Sequence, residues 1–509
     1  MPPVQNKNLF YLLSFIEGSC VMATELLGAK MLAPYFGSSL YVWAAVLAIT
    51  LGGLAVGYFL GGILSFKYRS NKNLLFYVLL LAAIFAVLMP FTSKIVLSMV
   101  GQYSLLPAII FSSMLFLFPP VLMMGMVSPL IISNITGNVN ESGKAAGSVY
   151  AISTVGGIIA TFLTGFYIIP NYGLTVPAVA SGIIIGAIPL AVLIKQNKLW
   201  ILFLIPSSIW LYNKTFKTKY YSDIKVLYDS EGLLGQIMVA DHPNYKSDGT
   251  IDSYSRILYF NRIGQTMLNT KTGETFPYVT MMSAEIGRLK YKSKALLLGL
   301  GGGTLANELI KKEFSVDACE LDTRVEKVAR KYFYLDNKVN VTVDDARHFI
   351  RACKKKYDLI VFDVFKGEEN PNHVFTDKSL EETKNLLNPN GVIIVNGNGF
   401  FESPAGKGMR SICKTLMNSG FQVNILPTSK DKNEMTRNLL FFASLNKSEL
   451  PENKDYLDIA DSDMNDAVVL QDEFPVLEVL NMEANIAWRQ GYISNSIIPF
   501  NKRNIPLFQ

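Results

Sequence analysis

Cysteine is scarce in this 509-residue chain. There are four, Cys20, Cys319, Cys353 and Cys413, and no two have Cys-x-x-Cys spacing. That excludes a disulfide framework and a cysteine-based zinc site. Histidine is scarcer still. His242, His348 and His373 lack metal-ligand spacing, so no metal is expected. Charge is also thin, at 17% of residues against 50% apolar, which is too oily for an ordinary soluble protein. The charge is unevenly placed. Residues 1–213 hold 9 of the 47 Lys/Arg and 3 of the 41 Asp/Glu, leaving 38 of each for the rest. The whole net charge of +6 therefore sits in the first part. With no basic domain, no nucleic-acid partner is expected. The excess instead marks a membrane segment with basic flanks. A cleaved signal peptide is not expected, because the N-terminal basic region is one lysine and no small-residue cleavage site follows the long apolar stretch.

What the first part does have is long apolar runs. Six are read, at 9–33, 40–62, 74–98, 105–133, 147–171 and 176–194, each long enough to cross a hydrocarbon core. A seventh, "LWILFLIPSSIWLYN" (199–213), is short and carries a proline. The loop "SFKYRSNKN", with Lys67, Arg69 and Lys72, is expected on the cytoplasmic side, which puts the N-terminus inside. Six crossings then keep the C-terminal half inside. Lys195, Lys198, Lys214 and Lys217 flank the seventh run on both sides and suit an interfacial helix. Glu17, Glu25 and Lys30 are read as charges within the spans. The two acids, eight residues apart, lie about 80° from one another around a helix. They would either bind an organic cation in the bundle interior or simply be satisfied by neighbours. "GGLAVGYFLGG" (52–62) and "STVGGIIATFLTG" (153–165) give small-residue faces for close helix packing.

After Lys214 the pattern changes. "IKVLYDS", "GQIMVADH", "SRILYFN" and "GQTMLNT" are short strand-like runs and predict a small antiparallel β-unit. Beyond Tyr278 apolar strands alternate with helices, from "ALLLGL" to "LLFFASL", which predicts a parallel, doubly wound α/β sheet. In such sheets ligands bind at the carboxyl ends of the strands. The first end carries Gly299, Gly301, Gly302 and Gly303, and the second carries Glu320 and Asp322. The third carries Asp344 and Asp345, and the fourth Asp363. Glu320 follows Gly303 by 17 residues, close to the spacing at which an acid accepts hydrogen bonds from ribose hydroxyls. Asp322 has a second reading, as the N-cap of "TRVEKVARKYF". Glycines plus a ribose acid suit NAD and S-adenosyl chemistry equally. Two features favour the latter: the spacing is GxGGG rather than GxGxxG, and the acidic rim suits a sulfonium better than a diphosphate.

These residues resemble a family. "LLLGLGGGTLANEL…ELD…VDDAR…YDLIVFDVF…FT" is similar to the nucleotide-binding domain of the spermidine synthases, the polyamine aminopropyltransferases. "YFNRIGQTML…ETFPYVTMM" resembles their small β-domain, and "NLLFFASLNK" their closing strand. The apolar part resembles that of bacterial membrane-fused spermidine-synthase-like proteins, notably "ELLGAKMLAPYFGSSLYVWAAVLAITLGGLAVGYFLGG". The resemblance implies that Gln265, Glu320 and Asp345, with Ala346 beside it, hold the nucleoside. Glu320 would take the ribose and Asp345 the adenine amino group. It implies that Asp363 orients and deprotonates the attacking amine, with Tyr278 at the amine end and His373 as a candidate base. Three positions depart from the family pattern. Thr304 stands where the family has the Asp that binds the donor amine, Lys366 replaces the second acid of the catalytic loop, and a YHE triplet reads Tyr278-Val279-Thr280. Glu368, Glu369 or Asp377, or the membrane part, would then hold substrate amines.

The fold expected is an α-helical polytopic membrane domain (1–213), a small antiparallel β-domain (214–277), a Rossmann-like doubly wound domain (278–450) and a C-terminal extension (451–509). The function implied is a membrane-bound aminopropyltransferase using decarboxylated S-adenosylmethionine and a polyamine or other amine. The alternatives are an S-adenosylmethionine-dependent methyltransferase with a membrane-borne substrate, and a non-catalytic polyamine sensor or transporter. The partners expected are the amine, the lipid bilayer and a second copy in a homodimer. The location expected is the inner membrane, multi-pass, with the catalytic domain in the cytoplasm.

Overall fold

The computed structural model describes residues 7–37, 40–69, 71, 73–100, 105–136, 141–196, 198, 223–232, 234–290, 293–365, 367, 370–434, 437–459, 464–492 and 500. Two compact units are distinguished, one built from the N-terminal helices and one from Ile237–Tyr492 with Asp223–Asp229. The short apolar run at 199–213 lies outside the described residues.

Among the described residues of the first unit, six helical stretches are long and apolar enough to cross a membrane: Lys7–Phe36 (α1), Leu40–Lys67 (α2), Leu74–Val100 (α3), Phe118–Ile135, Ser142–Tyr172 and Thr175–Lys195. The run expected as one span at 105–133 is instead three helices, Leu105–Phe116 (α4), Phe118–Gly125 (α5) and Val127–Ile135 (α6). Proline explains both breaks. Pro119 and Pro120 have no N–H for the carbonyls one turn earlier, and Pro129 has none for Gly125. The glycines allow backbones to approach. A methyl group on Gly57 would stand 2.5 Å from the Leu122 carbonyl oxygen, and one on Gly156 would stand 2.3 Å from that of Phe15. Gly52 and Gly62, from the same stretch as Gly57, meet nothing within 4 Å. Glu17 is buried in α1 and accepts a hydrogen bond from Ser153 Oγ at 3.0 Å, which favours the satisfied reading of that charge. Lys94, within α3, is a further charge inside the helices that the sequence reading left out.

The second unit contains two sheets. Lys225–Ser230 (β1), Ile237–Tyr245 (β2), Ile251–Phe260 (β3) and Ile263–Asn269 (β4) form a four-stranded sheet in the order β1-β2-β3-β4, with β2, β3 and β4 paired antiparallel. The larger sheet has the order β10-β11-β9-β8-β5-β6-β7. Its strands are Lys294–Leu298 (β5), Ser315–Glu320 (β6), Asn340–Val343 (β7), Tyr357–Phe362 (β8), Leu387–Asn398 (β9), Gln422–Pro427 (β10) and Asn438–Ser444 (β11). Strands β5 to β9 are parallel, but β11 is antiparallel to both β9 and β10, so the sheet is mixed rather than wholly parallel. The cause is the connection. Residues 428–437 are too short to carry a crossover helix, so the chain returns in the opposite direction.

Both faces of the larger sheet are covered. Along β5, Ala295 and Leu297 enter one apolar core while Leu296 and Leu298 enter the other. That two-residue alternation, apolar on both sides, is why the strand reads as a continuous apolar run. Residues 464–492, set apart in sequence as an extension, include Leu470 and Leu477, which are fully buried in the second of these cores. Strand order reverses between β5 and β8, so their carboxyl ends flank the crevice where a ligand binds in such sheets.

Candidate active site

The turn after β5 is shaped by glycine. Gly299 has φ +88°, and a methyl group there would lie 2.1 Å from the Asp363 carbonyl oxygen, so the two strand ends touch through backbone alone. Gly301 and Gly303 also have positive φ, at +53° and +78°. Gly302 N–H donates to Thr266 Oγ1 at 2.8 Å, which anchors the turn to β4 of the small sheet. Thr304 then opens the helix Thr304–Lys311 and is buried.

Glu320 ends β6. Its Oε2 accepts from Leu300 N–H at 3.0 Å and its Oε1 from Asp322 N–H at 2.9 Å. Each oxygen keeps a lone pair for a further donor. Burial raises the Glu320 carboxyl above its ordinary range, against the pull of these amides. Asp322 is turned to structural work. It N-caps the helix Thr323–Tyr332 by accepting from Arg324 N–H at 2.9 Å, and both its oxygens engage the Arg324 guanidinium. The N-cap reading of this residue is therefore the one its geometry fits.

Asp345 caps the helix Ala346–Ala352 through the Arg347 and His348 amides, at 2.9 and 3.2 Å. Its other oxygen lies 3.1 Å from His373 Nε2. Burial would raise this carboxyl, but His373 and the two helix amides outweigh it and hold it below the usual range. His373 is thus placed on Asp345 and not on Asp363. Ala346 is buried directly after Asp345. Asp344 pairs with His348 Nδ1 at 2.6 Å. A cleft of about 570 Å³ is lined by Asp345, His348, Pro371 and His373, with Asp472 and Pro475 from the C-terminal segment. That segment braces the wall. Asp472 accepts from Thr376 Oγ1 at 2.6 Å, and Leu477 N–H donates to Asn372 Oδ1 at 3.1 Å.

Asp363 follows β8 at the reversal point. Tyr278 Oη donates to its Oδ2 at 3.3 Å and Asn396 Nδ2 to its Oδ1 at 2.8 Å. Burial pushes the carboxyl up to about 6, although both donors pull it down. The same burial, with the Asp363 charge, holds the Tyr278 hydroxyl well above its ordinary value. Gln265 Nε2 donates to Gly367 O at 3.2 Å and so ties β4 to the loop after Asp363. Lys366, Glu368 and Glu369 lie outside the described residues. Asp377 accepts from the backbone N–H of its neighbour Lys378. Among the described residues, no group of histidines, cysteines and acids is placed to hold a metal ion.

Four participants escaped the sequence reading: Thr266, Asn370, Asn396 and Asn438. Asn370 Nδ2 donates to Val364 O and Asn396 O, at 3.1 and 3.2 Å. Asn438 Nδ2 donates to Asn396 Oδ1 at 2.9 Å. The available signal was an asparagine inside the apolar run "GVIIVNGN", where a buried amide must find partners.

Comparison with known proteins identifies a spermine/spermidine synthase domain at residues 276–432. A polyamine aminopropyltransferase of Vibrio vulnificus is 38% identical over 128 residues, 24% of this chain and 43% of that protein. An N-terminal histidine N-methyltransferase of Emericella nidulans is 36% identical over 116 residues, 22% of this chain and 21% of its own length. The chain thus spans less than half of each of these two relatives. A second aminopropyltransferase, from Aquifex aeolicus, is 23% identical over 422 residues, covering 80% of this chain and 82% of that protein. The crystal structure of a spermidine synthase from Thermotoga maritima matches with a TM-score of 0.36 and 18% identity, over 52% of this chain and 83% of that one. The C-terminal half of the chain carries a spermine/spermidine synthase domain, and polyamine aminopropyltransferases are among its relatives.

Proposed function

We propose that this chain is a membrane-bound aminopropyltransferase that moves the aminopropyl group of decarboxylated S-adenosylmethionine to a polyamine acceptor. The observation that carries it is Asp363. It is a buried carboxylate at the strand-order reversal, beside the glycine turn, with an elevated pKa and two fixed donors. An amine nitrogen attacks the methylene beside the sulfonium, the C–S bond breaks, methylthioadenosine leaves with the electron pair, and the amine proton passes to Asp363. A protonated amine has no lone pair to attack with, so the carboxylate must be ionised to accept that proton. Glu320 takes the ribose hydroxyls, and Asp345, beside Ala346, takes the adenine amino group. Gln265 holds the loop over the site. Tyr278 orients Asp363, and His373 acts on the nucleoside side through Asp345.

Under this reading, residues 1–213 form the membrane domain, 214–277 the small β-domain, 278–450 the catalytic domain and 451–509 an extension. The protein sits in the inner membrane as a multi-pass homodimer with its catalytic domain in the cytoplasm. The exposed Lys67 and Arg69 at the end of α2 support that orientation.

One observation favours a second reading. Thr304 puts no carboxylate on the glycine turn, so intact S-adenosylmethionine would meet no repulsion there, and methyl transfer would follow. Donor labelling separates the two. Label from the aminopropyl carbons appears in the amine product under the first reading, and label from the methyl group under the second. Label recovered only from the methyl group would remove the first.

A further inference from the structure

Sheet register places three polar side chains in a row along one edge of the larger sheet, from the end of β8 beside the crevice through β9 to β11. Parallel pairing sets Phe362 beside Val395, so the next residues, Asp363 and Asn396, stand side by side. Antiparallel pairing sets Asn438 opposite Asn398, on the same face as Asn396 two residues earlier. The hydrogen bonds run along this row. Asn438 Nδ2 donates to Asn396 Oδ1 at 2.9 Å, and Asn396 Nδ2 donates to Asp363 Oδ1 at 2.8 Å. An amide has one accepting end and one donating end. Once Asn438 takes the accepting end, Asn396 must present its N–H groups to Asp363. The reversed amide would set an oxygen against Asp363 Oδ1, and two acceptors attract only when the carboxyl carries a proton. Asn396 is almost wholly buried, at 1% exposure, so water is poorly placed to substitute for the relay.

We infer that Asn438 is a positioning residue that acts on Asp363 through Asn396, fixing Oδ1 as a permanent acceptor and leaving Oδ2, beside Tyr278, to receive the substrate proton. The inference rests on the proposed role of Asp363. Among the described residues, the titratable side chain hydrogen-bonded to Asp363 is Tyr278, from the helix Pro277–Gly287. Its hydroxyl stays protonated throughout the working range and is a constant donor. The variable donor is the amide of Asn396.

The test uses the full-length protein in detergent, with decarboxylated S-adenosylmethionine and putrescine as substrates. In Asn438→Ala the amide of Asn396 is free to reverse, so the acid limb of kcat/KM moves to higher pH. The expected loss is about five- to tenfold at pH 6 and less than about twofold at pH 8.5, with the donor KM unchanged. Asn438→Gln, which keeps an amide N–H donor and adds no titrating group, returns the limb toward the parent. A merely structural role would lower activity equally at every pH. That outcome, or an acid limb coincident with the parent's, overturns the inference. Should the parent turn over no aminopropyl donor, the proposed function fails separately. The titration of the Asp363 carboxyl, read by infrared difference between each protein and its own Asp363→Asn form, still decides whether Asn438 sets it.

Discussion

At the scale of single residues, Asp363 combines two properties that oppose each other. Burial makes its charge costly, yet the proposed chemistry needs that charge. The carboxyl is pushed up to about 6, so the ionised fraction falls below that pH, and kcat/KM should drop about tenfold per pH unit on the acid side. A pH profile with a flat acid side down to pH 5 would contradict this. Replacing Asp363 by Asn should cut turnover by about 10²–10⁴-fold while donor binding, measured by calorimetry, is retained. The same change should stabilise the fold at pH 8. A carboxyl whose folded pKa is raised binds its proton more tightly in the native state, so its contribution is favourable below the unfolded value and is lost as pH rises through about 6. The neutral amide removes that loss, and a thermal melt at pH 8 should show a higher midpoint for Asp363→Asn than for the parent. Asp363, Glu320 and Asp345 were legible as candidates because each stands at, or within two residues past, the carboxyl end of a strand. Asn396 and Asn438 were not, because they meet only through the register of β9 against β11.

At the scale of elements, caps and turns carry the predictions. Asp345→Asn can still cap the helix Ala346–Ala352, but it loses the charge facing His373. Stability should change little and nucleoside binding should weaken roughly tenfold, whereas Asp345→Ala should also lose about 1 kcal/mol of cap. Gly299→Ala forces a methyl against the Asp363 carbonyl from a left-handed φ, so both the melting temperature and nucleoside binding should fall. Near-parent binding in that variant would mean the turn is more tolerant than its geometry implies. Most strands and helices of the second unit follow from periodicity, since apolar strands alternate with amphipathic helices. Two features did not follow. Strand β11 reverses because its connection is short, and the apolar run at 105–133 breaks because prolines remove backbone donors. In both cases a local cause overrides a composition that reads as uniform.

At the scale of the whole molecule, a spermine/spermidine synthase domain shares one chain with helices that, six of them among the described residues, are long and apolar enough to cross a membrane. Composition alone made that division legible, because every excess positive charge falls in the apolar part. If the proposed orientation holds, Arg69→Cys should resist an impermeant thiol reagent in whole cells and react in inside-out vesicles. The most direct test of aminopropyl transfer is to follow one donor to its products. Full-length protein is incubated with decarboxylated S-adenosylmethionine and putrescine, and methylthioadenosine and the lengthened amine are quantified together. Aminopropyl transfer predicts equal amounts of both products, and at least about a hundredfold less of each from Asp363→Asn. No methylthioadenosine from the parent, with S-adenosylhomocysteine formed from intact S-adenosylmethionine instead, would contradict it.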